Sequence, residues 1–200
     1  DLPTDQYMAI EGSNGVIAAV ADAHSLEAAG NKILEPLSNG QLGTSIKPFK
    51  GVIALDGNLT TELIAEISSS VLFVSSDLRV APASPGKAER LIPLLTHKDA
   101  TFYVNVKEAE LLCQKEFLNA EAASCGLVKR GASRAVVTDG PKAAALADQS
   151  GFITAMPPYA LATKLTGAGD TFMAAHIAAE LSGTTGEVSL QLAANAASNY

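Results

Sequence analysis

The chain has no tryptophan, two cysteines, three histidines and few aromatic residues, and each shortage removes a class of protein. Cys113 and Cys125 are too few for a disulfide framework. Both fall in segments with helical spacing, so two thiols in a reducing compartment are expected. His24, His97 and His176 are scattered without metal-ligand spacing, which argues against a metalloenzyme built on imidazoles. Positive charge is also scarce: the net charge of −7 excludes a nucleic-acid binder, which needs a basic face. No apolar run approaches the roughly 20 residues that span a bilayer. The first residues, Asp-Leu-Pro-Thr-Asp, lack the basic and apolar parts of a signal peptide, so a cytoplasmic location is expected. There is no low-complexity tract, no internal repeat, and no Gly-x-Gly-x-x-Gly after an early strand, which removes a Rossmann-type dehydrogenase.

What is present is enough apolar sequence, 48% of 200 residues, to bury the core of one domain. Apolar runs at 7–11 and 15–20 flank Gly12-Ser13-Asn14-Gly15 and read as a β-hairpin. Further on, short apolar runs alternate with stretches of helical period. Strands are expected at 51–55, 71–74, 101–104 and 134–138. Helices are expected at 60–69, after the Pro82–Gly86 breaker, at 108–112 and at 120–130. A second hairpin spans 143–155, turning at Asp148-Gln149-Ser150, and two helices close the chain at 168–181 and 187–198. Alternation of this kind implies right-handed crossovers and a largely parallel α/β sheet covered on both faces. Ligands in such sheets bind beyond the carboxyl ends of the strands, which directs attention to Asp56–Asn58, Asn105–Glu108, Thr138–Lys142 and Thr166–Asp170.

The chemistry is most concentrated in Thr166-Gly167-Ala168-Gly169-Asp170-Thr171-Phe172, which opens a helix whose expected apolar stripe is Met173, Ile177 and Leu181. Glycines at a helix start let the backbone approach a ligand, and the unpaired N–H groups and helix dipole suit a phosphoryl oxygen. A carboxylate in the same turn can take a proton from an attacking hydroxyl, and phosphoryl transfer asks for little beyond positioning and charge stabilisation. The same string also serves as a tight turn with an acidic first-turn residue. Asn105-Val106-Lys107-Glu108 has two readings as well: a helix cap with a solvated Glu108, or a magnesium and phosphate site.

Leu165-Thr-Gly-Ala-Gly-Asp-Thr-Phe-Met-Ala-Ala175 resembles the C-terminal signature of the ribokinase-like (PfkB) carbohydrate kinases. The resemblance implies a ribokinase-like fold: a largely parallel sheet with helices on both faces and a small hairpin lid, here 1–21, beside an ATP-binding core at 50–200. It implies that Asp170 is the catalytic base and that the amides of Gly167, Ala168 and Gly169 form an anion hole. Asn105 and Glu108 are similar to the family's Asn-x-x-Glu, which positions magnesium and the nucleotide phosphates. Thr138, Gly140 and Lys142 lie in a segment like its ATP-contacting loop, with Ala143 where a glycine often follows. Asn195 falls at the family's adenine-side position. Lys164 replaces an aspartate near ribokinase's monovalent-cation site, so activity independent of potassium is implied.

Within the family, Ala19-Val20-Ala21-Asp22-Ala23, Val52–Leu59 with its Asp56-x-Asn58-Leu59, Phe73–Asp77, and Lys87-x-x-Arg90-Leu91 are similar to the pseudouridine-kinase branch. That points to ATP-dependent phosphorylation of pseudouridine at its 5′-hydroxyl. Ribose, fructose or keto-deoxy sugar acid kinases of the same family, and a catalytically silent nucleotide-binding domain, are the alternatives. The family's Gly-Gly-x-x-x-Asn sugar segment is absent, so an N-terminal part is expected to be missing. Family lids also pair between subunits, which implies a possible homodimer through 7–21.

Overall fold

The computed structural model describes residues 2–12, 15–158 and 166–200. Strands β1 (Tyr7–Gly12) and β2 (Gly15–Ala21) pair antiparallel as a separate two-stranded sheet, with a register shift between Ile10 and Glu11. Helix α1 (His24–Ala29), a 3₁₀ segment at Gly30–Leu34 and the single turn α2 (Glu35–Ser38) follow. Leu34 and Leu37 from this stretch are buried in the main core.

The second sheet has six strands in sequential order: β3 (Val52–Asp56), β4 (Asp77–Ala81), β5 (Ala100–Asn105), β6 (Arg134–Thr138), β7 (Ala144–Asp148) and β8 (Gly151–Ala155). The first four are parallel, and β7 and β8 are antiparallel additions. Period-two alternation divides the strands between two cores. Leu78, Val80, Phe102, Val104, Ala135 and Val137 face the larger one. It is closed by α3 (Thr61–Ser69), the 3₁₀ segment Pro85–Leu94, α4 (Val106–Cys113) and α5 (Ala120–Arg130). The alternate residues Tyr103, Val136 and Leu146 face a smaller core under α6 (Ala168–Leu181) and α7 (Gly186–Ser198). The expected α/β sandwich with a separate hairpin is therefore the observed one.

Three expectations are corrected. Val71–Val74 is not a strand: Ser70 caps a 3₁₀ turn over Val71–Phe73 and sends Phe73 into the core, and the strand is Asp77–Ala81. Its charges hid it, because Asp77 and Arg79 alternate with Leu78 and Val80. The segment after the proline breaker winds as a 3₁₀ helix, although it buries Ala88 and Leu91 as the helical spacing requires. On α6 the buried stripe is Phe172, His176 and Ala179, while Leu181 is 71% exposed. The imidazole reads as polar in sequence yet occupies the inward face.

Candidate active site

The carboxyl ends of β3 to β6, the start of α6 and the hairpin enclose one cleft of about 760 Å³. The hairpin side contributes Asp5, Gln6, Tyr7 and Asp22, and the strand ends contribute Asp56, Asn58, Asn105 and Thr138. The short antiparallel pairing that builds the hairpin holds Asp22 against it through its N–H to the Gln6 carbonyl at 2.8 Å.

Gly167 is the N-cap of α6 with φ +95, a conformation that favours glycine. A side chain there would also meet the Tyr200 hydroxyl at 2.6 Å. Gly169 has open space where a Cβ would stand, and it lines the cleft. The first N–H groups of a helix have no partner within it, which suits this turn to an anion. Asp170 projects from the same turn. It is exposed on the cleft, and among the described residues its carboxylate takes part in no hydrogen bond or ion pair. Thr166 lines the cleft beside it.

Asn105 and Glu108 form a capping box at the start of α4. The Asn105 side chain accepts from the Glu108 N–H at 2.9 Å, and Glu108 Oε2 accepts from the Asn105 N–H at 2.9 Å. Both residues also line the cleft, so the cap and the ligand-facing readings are compatible. Burial pushes the Glu108 carboxyl above its ordinary range, and the charge of Asp170 adds to the effect despite the two hydrogen bonds from Asn105. Glu108 is thus a buried carboxylate on the cleft wall whose Oε2 accepts from the Asn105 N–H. A carboxylate held in this way suits a hard cation completed by waters and phosphate oxygens. No cluster of three or more His, Cys, Asp or Glu able to hold a metal occurs among the described residues, so such an ion would rely on those other ligands.

The remaining expected residues distribute unevenly. Thr138 lines the cleft at the end of β6. Gly140 and Lys142 sit in the following turn, Gly140 at φ +57 and Lys142 exposed and paired with Asp139 at 3.1 Å; neither lines the cleft. Ala168 lies between lining residues without lining the cleft itself. Asn195 is on α7, where its side chain accepts from Gln191 at 2.9 Å. Lys164 lies outside the described residues.

Two segments that were only strings in the sequence meet in space. Asn58 donates to Asp56 at 2.7 Å, and Lys87 donates to Asn58 at 2.5 Å, all three lining the cleft. Arg90 ties the same loop from below through the carbonyls of Gly57 at 3.3 Å and Leu59 at 3.3 Å. Sequence reasoning did not find Asp5 or Tyr103 on the cleft, nor the buried Arg79 and His176. Charged or polar residues in apolar surroundings were the available signal.

Residues 57–199 match the pfkB family of carbohydrate kinases. The chain belongs to that family. A comparison with curated proteins gives no match. Among solved structures, it is similar to a carbohydrate kinase from Agrobacterium tumefaciens, with 24% identity and a TM-score of 0.74. It also resembles the ribokinase of Thermotoga maritima, with 19% identity and a TM-score of 0.75. A third likeness is to Arabidopsis thaliana ribokinase complexed with ribose and ATP, at 22% identity and a TM-score of 0.71. Each match covers 98% of this chain and 62% of the other, so the pfkB chain described here spans less than two thirds of those relatives. These likenesses establish the ribokinase-like fold, and the family match covers all of the site except the hairpin side and Asp56.

Proposed function

We propose that this pfkB-family chain carries the phosphoryl-transfer half of an ATP-dependent kinase acting on a ribose-type hydroxyl, with pseudouridine as acceptor. The observation that carries the reading is the placement of Asp170: a carboxylate in the first turn of α6, with no hydrogen bond or ion pair among the described residues, on the same cleft as Glu108 and behind two glycines. In this reading Asp170 takes the proton from the acceptor hydroxyl as its oxygen bonds to the terminal phosphorus and the bond to the ADP oxygen breaks. The N–H groups of Gly167, Ala168 and Gly169 receive the charge on the transferred oxygens. Glu108, with Asn105 fixing it, would hold magnesium, which neutralises phosphate charge when bound. Thr138, Gly140 and Lys142 border the nucleotide, with Asn195 on the adenine side.

The pseudouridine reading rests on the Asp56–Asn58 turn and the Lys87–Arg90 segment, which the fold joins into one hydrogen-bonded wall of the cleft. Support for a lid is the hairpin's position on that cleft. Its outer face, with Met8, Ile10 and Val20 exposed, supports a second copy as partner in a cytoplasmic enzyme. The test is turnover by the intact protein with ATP and magnesium, followed by ADP release, on pseudouridine, ribose, fructose and a keto-deoxy sugar acid. Pseudouridine is expected to give the highest kcat/KM. Preference for one of the others replaces the substrate but keeps the kinase, and ADP release with none of them removes the kinase reading.

A further inference from the structure

The smaller core contains a polar cluster that the proposed chemistry does not use. Arg79 on β4 is 6% exposed, and His176 on α6 and Ser189 on α7 are fully buried. Arg79 donates from Nη1 to the Tyr103 hydroxyl at 2.9 Å, and that hydroxyl lies 2.8 Å from His176 Nδ1. On the other side of the ring, His176 Nε2 lies 3.3 Å from Ser189 Oγ, and Ser189 donates its own proton to the Gly186 carbonyl at 2.9 Å. Donor and acceptor bookkeeping then leaves one consistent assignment. Arginine can only donate, so the Tyr103 oxygen accepts from Arg79 and its O–H donates to Nδ1. Ser189 has spent its proton, so Nε2 carries the imidazole hydrogen and donates to Ser189. The ring is neutral, and every bond runs in the same direction from β4 through β5 and α6 into α7.

The charges around it balance. Arg79 pairs with Asp77 through Nη2 at 2.5 Å and with Glu180 through Nη1 at 2.5 Å, and Arg134 on β6 meets the other Glu180 oxygen at 2.5 Å. The groups facing His176 are therefore Arg79, Tyr103, Arg134, Glu180 and Ser189, one or more from every element packed against it. Burial drives the imidazole down to about 4, the nearby arginines add to this, and the Glu180 carboxylate opposes it without prevailing. The ring stays neutral throughout the physiological range.

The position of the cluster gives it consequence. Tyr103 is two residues before Asn105 on the same strand and itself lines the cleft. His176 is six residues beyond Asp170 on one helix, roughly 9 Å along its axis at 1.5 Å per residue. The pair thus joins the strand that ends at the Asn105–Glu108 box to the helix that begins with the glycines and Asp170. We propose that Tyr103 and His176 are positioning residues that set Asp170 and its amides in register with Asn105 and Glu108. This rests on the kinase reading for its meaning, but the geometry can be tested without turnover.

The experiment compares the intact wild-type protein with His176→Leu and His176→Asn. Leucine fills the site without an acceptor, whereas asparagine restores an acceptor for the Tyr103 hydroxyl. Backbone hydrogen exchange at Thr171–Met173 is expected to quicken about tenfold in the leucine variant and to return toward wild type in the asparagine variant. With an acceptor that turns over, kcat is expected to fall about tenfold in the leucine variant while KM for ATP stays nearly constant, as misplacement of a reacting group requires. Unchanged exchange at the start of α6 overturns the proposal, as does a lower Tm with an unaltered kcat for the folded protein. If wild type turns over no acceptor, the kinase reading fails separately and the exchange measurement still decides the positioning role.

Discussion

At the residue scale, the site rests on two glycines that do different work. Gly167 is required by its φ of +95 and by the Tyr200 hydroxyl, so Gly167→Ala is expected to destabilise the start of α6. Gly169 has neither constraint: no atom stands where its Cβ would go. Gly169→Ala is therefore expected to leave folding intact, or stabilise it by about 0.5 kcal/mol, while lowering kcat by narrowing the anion approach. Thermal unfolding and ADP release on the same sample separate the two effects; equal activity in the alanine variant would remove Gly169 from the anion hole. The Gly-Ala-Gly-Asp turn was legible in sequence because its constraints are local. The Arg79–Tyr103–His176 chain was not, because its members lie 24 and 73 residues apart and meet only when β4, β5 and α6 pack.

At the scale of elements, helix starts were legible from the apolar spacing, and the fold adds the caps that fix them. Thr60 caps α3 by accepting from the Leu63 N–H at 3.2 Å, and Asn119 caps α5 by accepting from Ala122 at 2.8 Å, close to where the spacing put them. Strand β4 was misplaced because its two charged residues break the apolar run that identifies a buried strand. Its second face is polar because it lies under Glu180 and His176, which only the tertiary fold reveals. Asn105 is an element boundary and a cleft residue together. Asn105→Ala should cost about 1 kcal/mol through the lost cap. It should also loosen Glu108, so that the magnesium concentration needed for half-maximal turnover rises. A stability loss with an unchanged magnesium requirement would leave Asn105 as a cap only. Denaturant unfolding and a magnesium titration read the two outcomes.

At the scale of the whole molecule, the sheet order and the period-two split between two cores follow from the alternation of strands and helices. The cleft, with the acidic Asp5 and Asp22 on its hairpin side, had to be seen. Burial also gives the molecule a pH signature. His176 falls from an ordinary 6.5 to about 4 in the fold, so the unfolded chain takes up this proton before the native one does. Stability is full above about pH 6.5 and is lost as pH falls toward 4, by about 3 kcal/mol from this group alone. His176→Leu is expected to flatten that part of the stability curve in urea titrations between pH 7 and 4. A slope identical to wild type would show that the ring is not buried neutral.

The central claim is that Asp170 is the base in a phosphoryl transfer, and the direct measurement is Asp170→Asn in the intact protein with ATP, magnesium and pseudouridine. The carboxamide keeps the shape and, with no hydrogen bond or ion pair to lose among the described residues, should leave the fold and ATP affinity nearly unchanged. Loss of a general base costs roughly 10² to 10⁴-fold, and kcat is expected to fall by that amount. Turnover close to wild type in Asp170→Asn would contradict it.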